Sequence, residues 1–262
     1  MHSTTPSSTF IWRRLHSLMG LWLVLYLAEH LLVNSQAALW AGQEGSYFIR
    51  MVNSLESLPY LPAIEIILIG IPLAIHAVWG IHRIFTAKSN VHDAKGAKPA
   101  LPYARNRAFT WQRASSWILL FGLLGHVAQM RFLHAPREMS GHYEVRIRED
   151  ASLPPLAARL GVALRPLDSG VVEAVADTPG KAMLLMVRDT FKSPWMAAGY
   201  TLFLLAAAFH ACNGFWTFLI TWGALLSYRS QKAMIPVSVV AMGLFTFLGC
   251  AAIWGSYWLA SS

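Results

Sequence analysis

The sequence predicts an all-α membrane protein with five transmembrane helices and a small mixed α/β insertion outside the membrane. Of its 262 residues, 55% are apolar and only 13% are charged, against roughly 25% charged residues in soluble proteins. The charges are concentrated in segments between long apolar stretches, and five stretches reach the roughly 20 residues that a spanning helix needs. This composition rules out a disordered chain and argues against an ordinary soluble enzyme.

The five apolar stretches set the predicted spans. They cover residues 12–40, 62–86, 111–134, 194–223 and 233–258. Near the start of the first stretch, Arg13 and Arg14 precede an apolar run, as in a signal peptide, but this run is much longer than an apolar signal core of roughly 7 to 15 residues. We therefore expect it to be a retained helix. Tryptophans near the ends of several spans fit an aromatic belt at the membrane interface.

Basic residues are concentrated on one predicted side of the membrane. That side comprises the N-terminus and the loops 87–110 and 225–232, with Arg13, Arg14, Arg83, Lys88, Lys95, Lys98, Arg105, Arg107, Arg113, Arg229 and Lys232 near it. The opposite loop, 41–61, has only Arg50, with Glu44 and Glu56. The positive-inside rule therefore predicts a cytoplasmic N-terminus. The net charge of +8 is then mainly a topology signal rather than a nucleic-acid footprint.

Residues 135–193 form the predicted insertion, between helices one to three (1–134) and helices four and five (194–262). The segment has eight basic and eight acidic residues. Alternating stretches at 143–147, 171–176 and 183–187 predict strands, and 155–160 predicts a short helix. Because so short a segment buries little core alone, we expect it to rest on the helix ends or on a partner.

Four of the ten histidines lie near the middle of four different spans. Ionisable groups at that depth are costly and point to a functional site. Helix rise places His30 and His126 about 27 and 22 Å from the basic side, and His76 and His210 about 14 and 18 Å from it. Two pairs at two depths are typical of two six-coordinate haems, each held between facing helices of a four-helix bundle.

The surroundings of the histidines agree with flat cofactors. Gly80, Gly122 and Gly214 lie one turn from three of the histidines, where they leave space for a macrocycle or simply allow close helix packing. A single metal ion is disfavoured because four ligands at two depths do not converge. Cys212 and Cys250 lie in apolar runs without a Cys-x-x-Cys pattern, which argues against a disulfide framework, a zinc knuckle and covalently attached haem.

Other polar residues in the spans are candidates for contacts with cofactor or substrate. His16, near the basic side, would bind a haem propionate or a quinone, or lie at the interface without either role. Three arginines would pair with propionates or serve only as snorkelling anchors: Arg14, Arg83 and Arg113. Glu29 and Glu65 would exchange the protons of a quinone, or be neutral carboxyls bonded to neighbours.

The flanks of the histidines resemble one known family, the dihaem cytochrome b subunit of bacterial succinate:quinone oxidoreductases. Residues 13–20 (Arg-Arg-Leu-His-Ser-Leu-Met-Gly) and 29–34 (Glu-His-Leu-Leu-Val-Asn) resemble its first helix. Its second, third and fourth helices are matched by 72–80 (Pro-Leu-Ala-Ile-His-Ala-Val-Trp-Gly), 125–126 (Gly-His) and 209–216 (Phe-His-Ala-Cys-Asn-Gly-Phe-Trp).

This resemblance implies an anchor in the bacterial inner membrane for a flavoprotein subunit and an iron–sulfur subunit. The anchor would exchange electrons with a quinone, usually menaquinone. It assigns one haem b, nearer the iron–sulfur subunit, to His76 and His210, and an outer haem b to His30 and His126. A glutamate near the outer haem would contact quinone. For that role Glu65 is the first choice, with Glu29 or Glu56 in reserve.

Two positions depart from the pattern that the resemblance implies. Some fumarate reductases of this type have a proton-carrying glutamate two residues before the fourth-helix ligand, where this chain has Ala208. This difference favours the succinate-oxidising direction. Residues 135–193 are longer than the connection expected in the family, and the sequence assigns them no function.

Three alternatives remain at this point: a dihaem cytochrome b of a hydrogenase or formate dehydrogenase, a haem-free transporter with a histidine relay, and a scaffold whose insertion does the chemistry. The fifth span and the residues that flank the histidines argue against the hydrogenase or formate dehydrogenase cytochrome. The transporter would not need histidines paired at two depths. The chain has neither a flavin-binding pattern nor a cysteine cluster for iron and sulfur. It is therefore predicted to be one subunit of an enzyme, without the dicarboxylate site.

Overall fold

The computed structural model describes residues 7–39, 44–86, 104–168 and 170–261. Trp40, the predicted end of the first span, and residues 87–103 of the predicted basic loop lie outside the described residues. Five helices in the described ranges are long and apolar enough to cross a membrane. They cover Ser8–Ser35, Leu61–Thr86, Asn106–Leu133, Pro194–Thr221 and Tyr228–Leu259. The prediction of an all-α membrane protein with five spans is confirmed.

Two of the spans change helical pitch along their length. The second span consists of α3 (Leu61–Glu65), a π-helical turn (Ile66–Gly70) and α4 (Ile71–Thr86), whereas α1 (Ser8–Ser35) is α-helical throughout. The third begins as α5 (Ala104–Val127) and ends in a second π-helical segment (Ala128–Leu133). Such π segments often occur at functional sites. Here one follows Glu65 directly, and the other begins two residues after His126.

The fourth and fifth spans are α8 (Pro194–Thr221) and α9 (Tyr228–Ser261). The fifth helix begins earlier than predicted, inside the expected 225–232 loop. The cause is local: the Ser227 hydroxyl accepts a hydrogen bond from the Ser230 backbone N–H at 3.1 Å. A serine side chain that binds a free N–H of the first turn stabilises a helix start.

The insertion is a four-stranded antiparallel sheet covered by helices, in the order β1-β2-β4-β3. Its elements are β1 (Arg137–Met139), β2 (His142–Arg148), α6 (Leu153–Leu160), β3 (Ala163–Asp168), β4 (Val171–Ala176) and α7 (Pro179–Phe191). Alternate residues such as Val145, Ile147, Val172 and Ala174 are buried, which is the period expected of a sheet with one covered face. The mixed α/β insertion is confirmed, and β1 and β3 are additional strands.

The opposite face of the sheet is polar. Arg146 pairs with Glu173 at 3.8 Å, and Arg165 pairs with Glu144 at 3.3 Å. All four side chains point away from the buried face because they occupy the alternate positions of their strands.

The predicted strand at 183–187 is wrong, because these residues lie inside α7. Leu184, Leu185, Met186 and Val187 are all buried, so the run shows neither a clear helical nor a clear strand period. Pro179, at the first helical position after Thr178, favours a helix start there.

The predicted 41–61 loop also contains a helix that the sequence did not indicate, α2 (Ser46–Glu56). It packs against α7 at Gly180, whose backbone N–H donates to the Asn53 side-chain oxygen at 2.8 Å. A Cβ at Gly180 would lie 2.5 Å from the Ile49 carbonyl oxygen. The two backbones therefore approach as closely as they do only because this residue is glycine.

The described residues fall into two compact units. The first takes residues from Met1–Ala28, Pro62–Leu120 and Ala206–Leu244, and the second takes residues from Glu29–Leu61, Phe121–Leu205 and Phe245–Ser262. The insertion belongs to the second unit. Each unit contains two of the four mid-span histidines.

Candidate functional site: two histidine pairs

The first unit brings His76 of α4 next to His210 of α8. Their ring centres are 6.3 Å apart and the ring planes are 79° apart. His16 of α1 stacks on His76: its ring centre lies 4.1 Å from that of His76, and the planes are 11° apart. His16 thus contacts a predicted ligand directly, in addition to the surface roles that the sequence suggested.

A backbone carbonyl fixes the proton on His76. Nδ1 of His76 lies 3.1 Å from the carbonyl oxygen of His16. A carbonyl oxygen only accepts hydrogen bonds, so the imidazole proton must be on Nδ1. The lone pair of Nε2 in this neutral ring is then available to a metal.

A serine fixes the proton on His210 in the same way. Nδ1 of His210 lies 3.2 Å from the Ser115 hydroxyl, and that hydroxyl donates its own hydrogen to the Gln112 carbonyl at 3.1 Å. Because a hydroxyl has one hydrogen, Ser115 must accept from Nδ1. The Gln112 side chain donates to the His210 carbonyl at 3.1 Å and accepts from Asn213 at 2.8 Å. With its proton on Nδ1, His210 also has an unprotonated Nε2.

The second unit brings His30 of α1 next to His126 of α5. Their ring centres are 5.8 Å apart and the planes are 86° apart. Nδ1 of His126 lies 3.4 Å from the Tyr200 hydroxyl, which donates its hydrogen to the Gln129 side-chain oxygen at 3.1 Å. The Tyr200 oxygen therefore accepts from Nδ1. Asn34 donates to the His30 carbonyl at 2.8 Å.

The separation of the ring centres in both pairs is close to that of two imidazoles bound to one haem iron. A metal-to-nitrogen distance of about 2.0 Å, with the ring centre roughly 1.1 Å further out, gives about 6.2 Å between two axial imidazole centres. The measured separations are 6.3 and 5.8 Å. Within the described ranges, no group of three or more His, Cys, Asp or Glu side chains is arranged to hold one metal ion. A pair of nitrogens is what an iron porphyrin takes from the protein.

Gly20 supplies space for this arrangement and was missed in the sequence. A Cβ at Gly20 would lie 2.9 Å from Cε1 of His76, which is too close for an unshifted ring. Gly20 is one turn after His16 on α1, and a search for small residues near the stacked histidine would have found it.

The predicted glycines near the histidines have different roles. A Cβ at Gly122 would lie 2.4 Å from the Phe203 ring, so Gly122 admits that aromatic side chain and serves helix packing. At Gly80 and Gly214 a Cβ would meet its nearest neighbours at 3.8 and 3.7 Å, which is ordinary contact. The packing around Gly80 and Gly214 in the described residues would therefore also accommodate alanine.

The three predicted arginines all lie in the first unit, two of them with partners. The Arg14 guanidinium lies 4.9 Å from the centre of the Trp222 ring, a cation–π distance. Arg113 donates to the Ile84 carbonyl at 2.8 Å. Arg83 is half-buried in the last turn of α4.

The two candidate glutamates fall in different units. Glu29 is exposed and belongs with the His30–His126 pair in the second unit. Glu65 is half-buried at the end of α3 and belongs to the first unit. The reserve candidate, Glu56, is the last residue of α2 in the second unit.

Comparison with known proteins adds a full-length relative. The chain is 31% identical over 245 residues to the succinate dehydrogenase cytochrome b558 subunit of Bacillus subtilis (strain 168), covering 93% of this chain and 95% of the relative. No protein-family profile and no solved structure matches the chain. Similarity that extends over nearly the whole of both proteins, together with five membrane-spanning helices, shows that the chain belongs to the family of succinate dehydrogenase cytochrome b subunits.

Proposed function

We propose that this chain is the membrane anchor of a succinate dehydrogenase and carries electrons through two b haems, each held by one histidine pair. The observation that carries the proposal is that each unit contains two neighbouring imidazoles, with hydrogen-bond acceptors at Nδ1 of His76, His210 and His126. These acceptors leave Nε2 available to iron. A transporter that relays protons through histidines would not need this arrangement.

When bound, haem b supplies an iron that gains and loses one electron at a time. The four histidines would hold the two haems, and neighbouring residues of the chain orient the histidine rings. In the first unit, the His16 carbonyl and Ser115 fix the two imidazole planes, and Ser115 is only 5% exposed. In the second unit, Tyr200 fixes the plane of His126. Arg14, Arg83 and Arg113 are the proposed counter-charges for propionates, because all three belong to the unit that holds His76 and His210.

The proposed electron acceptor is a quinone, with menaquinone as the expected species. Reduction of one quinone to quinol takes up two electrons and two protons, so a proton-exchanging group is needed beside it. Glu65 and Glu29 are the proposed groups, since both are carboxylates within spanning helices. Glu29 adjoins His30, and Glu65 precedes a π-helical turn.

The proposed partners are the flavoprotein and iron–sulfur subunits of the same complex. They would dock on the cytoplasmic side, where the N-terminus and most basic residues are predicted to lie. The dicarboxylate site would belong to the flavoprotein subunit. Electrons from succinate would then enter this chain from the iron–sulfur subunit, at the haem that His76 and His210 would hold.

A haem determination on the purified complex tests this proposal. A pyridine haemochrome assay and a dithionite-reduced minus oxidised spectrum should give two non-covalent b haems per chain, and the complex should reduce quinone with succinate. One haem per chain would contradict the two-pair assignment. A complex without haem would contradict the proposal and favour the histidine relay.

A further inference from the structure

The insertion reaches the second histidine pair through two aromatic side chains. Phe191, at the end of α7, is 5% exposed. Its ring meets the Tyr200 ring of α8 edge to face, with the centres 5.2 Å apart and the planes 89° apart. Aromatic pairs of this geometry restrict each other's orientation. The position of Tyr200 is therefore tied to the extramembrane sheet and its helices.

The Tyr200 hydroxyl connects this contact to a proposed iron ligand. It donates to the Gln129 side-chain oxygen at 3.1 Å and lies 3.4 Å from Nδ1 of His126. Gln129 is in the π-helical segment that follows α5. With its hydrogen used toward Gln129, the hydroxyl is left as the acceptor for the His126 proton.

We infer that Tyr200 is a positioning residue for His126, held by Phe191 of the insertion and by Gln129, and that it sets the reduction potential of the haem bound by the His30–His126 pair. An acceptor at Nδ1 makes the ligand nitrogen more basic and stabilises ferric iron. Tyr200 therefore lowers that potential. This inference rests on the proposed function, and it gives residues 135–193 a role in electron transfer.

The first unit provides an internal control. There the Nδ1 acceptors are the His16 carbonyl and the Ser115 hydroxyl, and neither belongs to the insertion. A change at Tyr200 should affect one haem, and a change at Ser115 should affect the other.

The test is a spectroelectrochemical redox titration of the whole complex that resolves the two haems. Tyr200→Phe keeps the aromatic contact with Phe191 but removes the hydroxyl that accepts from Nδ1 of His126. It should raise the midpoint potential of one haem, the one that is lost in His126→Ala, and leave the potential of the other haem unchanged. Ser115→Ala should raise the other potential instead. The inference is overturned if Tyr200→Phe leaves both potentials at wild-type values or shifts only the haem of His76 and His210.

Two further variants keep the test decisive if Tyr200→Phe does not assemble. Gln129→Leu frees the Tyr200 hydrogen to donate to Nδ1, which favours the wrong tautomer and should lower occupancy of the same haem. Phe191→Ala should raise the same midpoint potential, by a smaller amount than Tyr200→Phe does. An unchanged potential in Phe191→Ala would contradict the claim that the insertion holds Tyr200 in position. If His126→Ala itself removes no haem, the proposed ligand pair fails. If it removes one haem while both Tyr200→Phe and Gln129→Leu have no effect, only the positioning role fails.

Discussion

The contact between Gly20 and His76 predicts a selective loss of one haem in Gly20→Ala. The added Cβ would lie 2.9 Å from Cε1 of His76, roughly 0.6 Å inside the closest favourable carbon–carbon separation of about 3.5 Å. Overpacking of this kind costs about 1–3 kcal/mol. Where the clash opposes the position of His76 that binds haem, this cost corresponds to about 5- to 160-fold weaker haem binding.

The assay is haem occupancy in the complex purified from cells with limited haem supply. A redox titration separates the two components, and the His76→Ala spectrum identifies which one depends on that histidine. Gly20→Ala should lower this component and spare the other.

Gly243→Ala is the matched control, since a Cβ there meets nothing within 4 Å and α9 carries none of the histidines. Both components should remain at wild-type occupancy in this variant. The reasoning is refuted if Gly20→Ala retains both haems under limitation, or if it loses the component that belongs to His30 and His126.

Three other predictions concern separate parts of the chain. Ser115→Ala removes the acceptor for Nδ1 of His210. In a redox titration it should raise the midpoint potential of the haem of His76 and His210 by about 20–65 mV, the equivalent of one net hydrogen bond. Gly180→Ala places a Cβ 2.5 Å from a backbone carbonyl of α2, which should cost about 1–3 kcal/mol and speed hydrogen exchange in α2 and α7. Burial would raise the pKa of Asp150, but hydrogen bonds from Lys192 and a neighbouring serine outweigh it and hold the pKa below its usual value. The ionised Asp150 should therefore stabilise the insertion fully above about pH 4, and this stabilisation should be lost as the pH falls through the depressed pKa. Hydrogen exchange, corrected for the pH dependence of the intrinsic rates, should show this loss in the wild type and not in Asp150→Asn.

The sequence predicted the spans well because their signal is composition summed over many residues. Their ends were less accurate: the first helix covers Ser8–Ser35 rather than 12–40, and the fifth begins at Tyr228. Helix ends depend on local hydrogen bonds such as the Ser227 cap, which apolar content does not record. The two π-helical segments were also not predicted, because the sequence has no simple pattern for them.

The pairing of the histidines was predictable from helix rise alone. The structure brings together His76 with His210 and His30 with His126, as the depths indicated. Their role as iron ligands stays a prediction. The groups that hold Nδ1 were missed, since they come from residues far away in sequence: Ser115 acts on a histidine 95 positions later.

The insertion shows where periodicity is not informative. Alternation identified β2 and β4 because each has one buried and one polar face. The 183–187 run was misread as a strand because α7 is buried on several sides, against the sheet and α2, so that apolar residues occupy consecutive positions. Short apolar runs of this kind leave helix and strand equally possible.

The most direct test of the account is the haem content of four single variants of the complex, with the two redox components resolved. His76→Ala and His210→Ala should each remove the same component, and His30→Ala and His126→Ala should each remove the other. Shared loss between His76 and His126, or a variant that retains both haems, would contradict the claim that each histidine pair holds one haem.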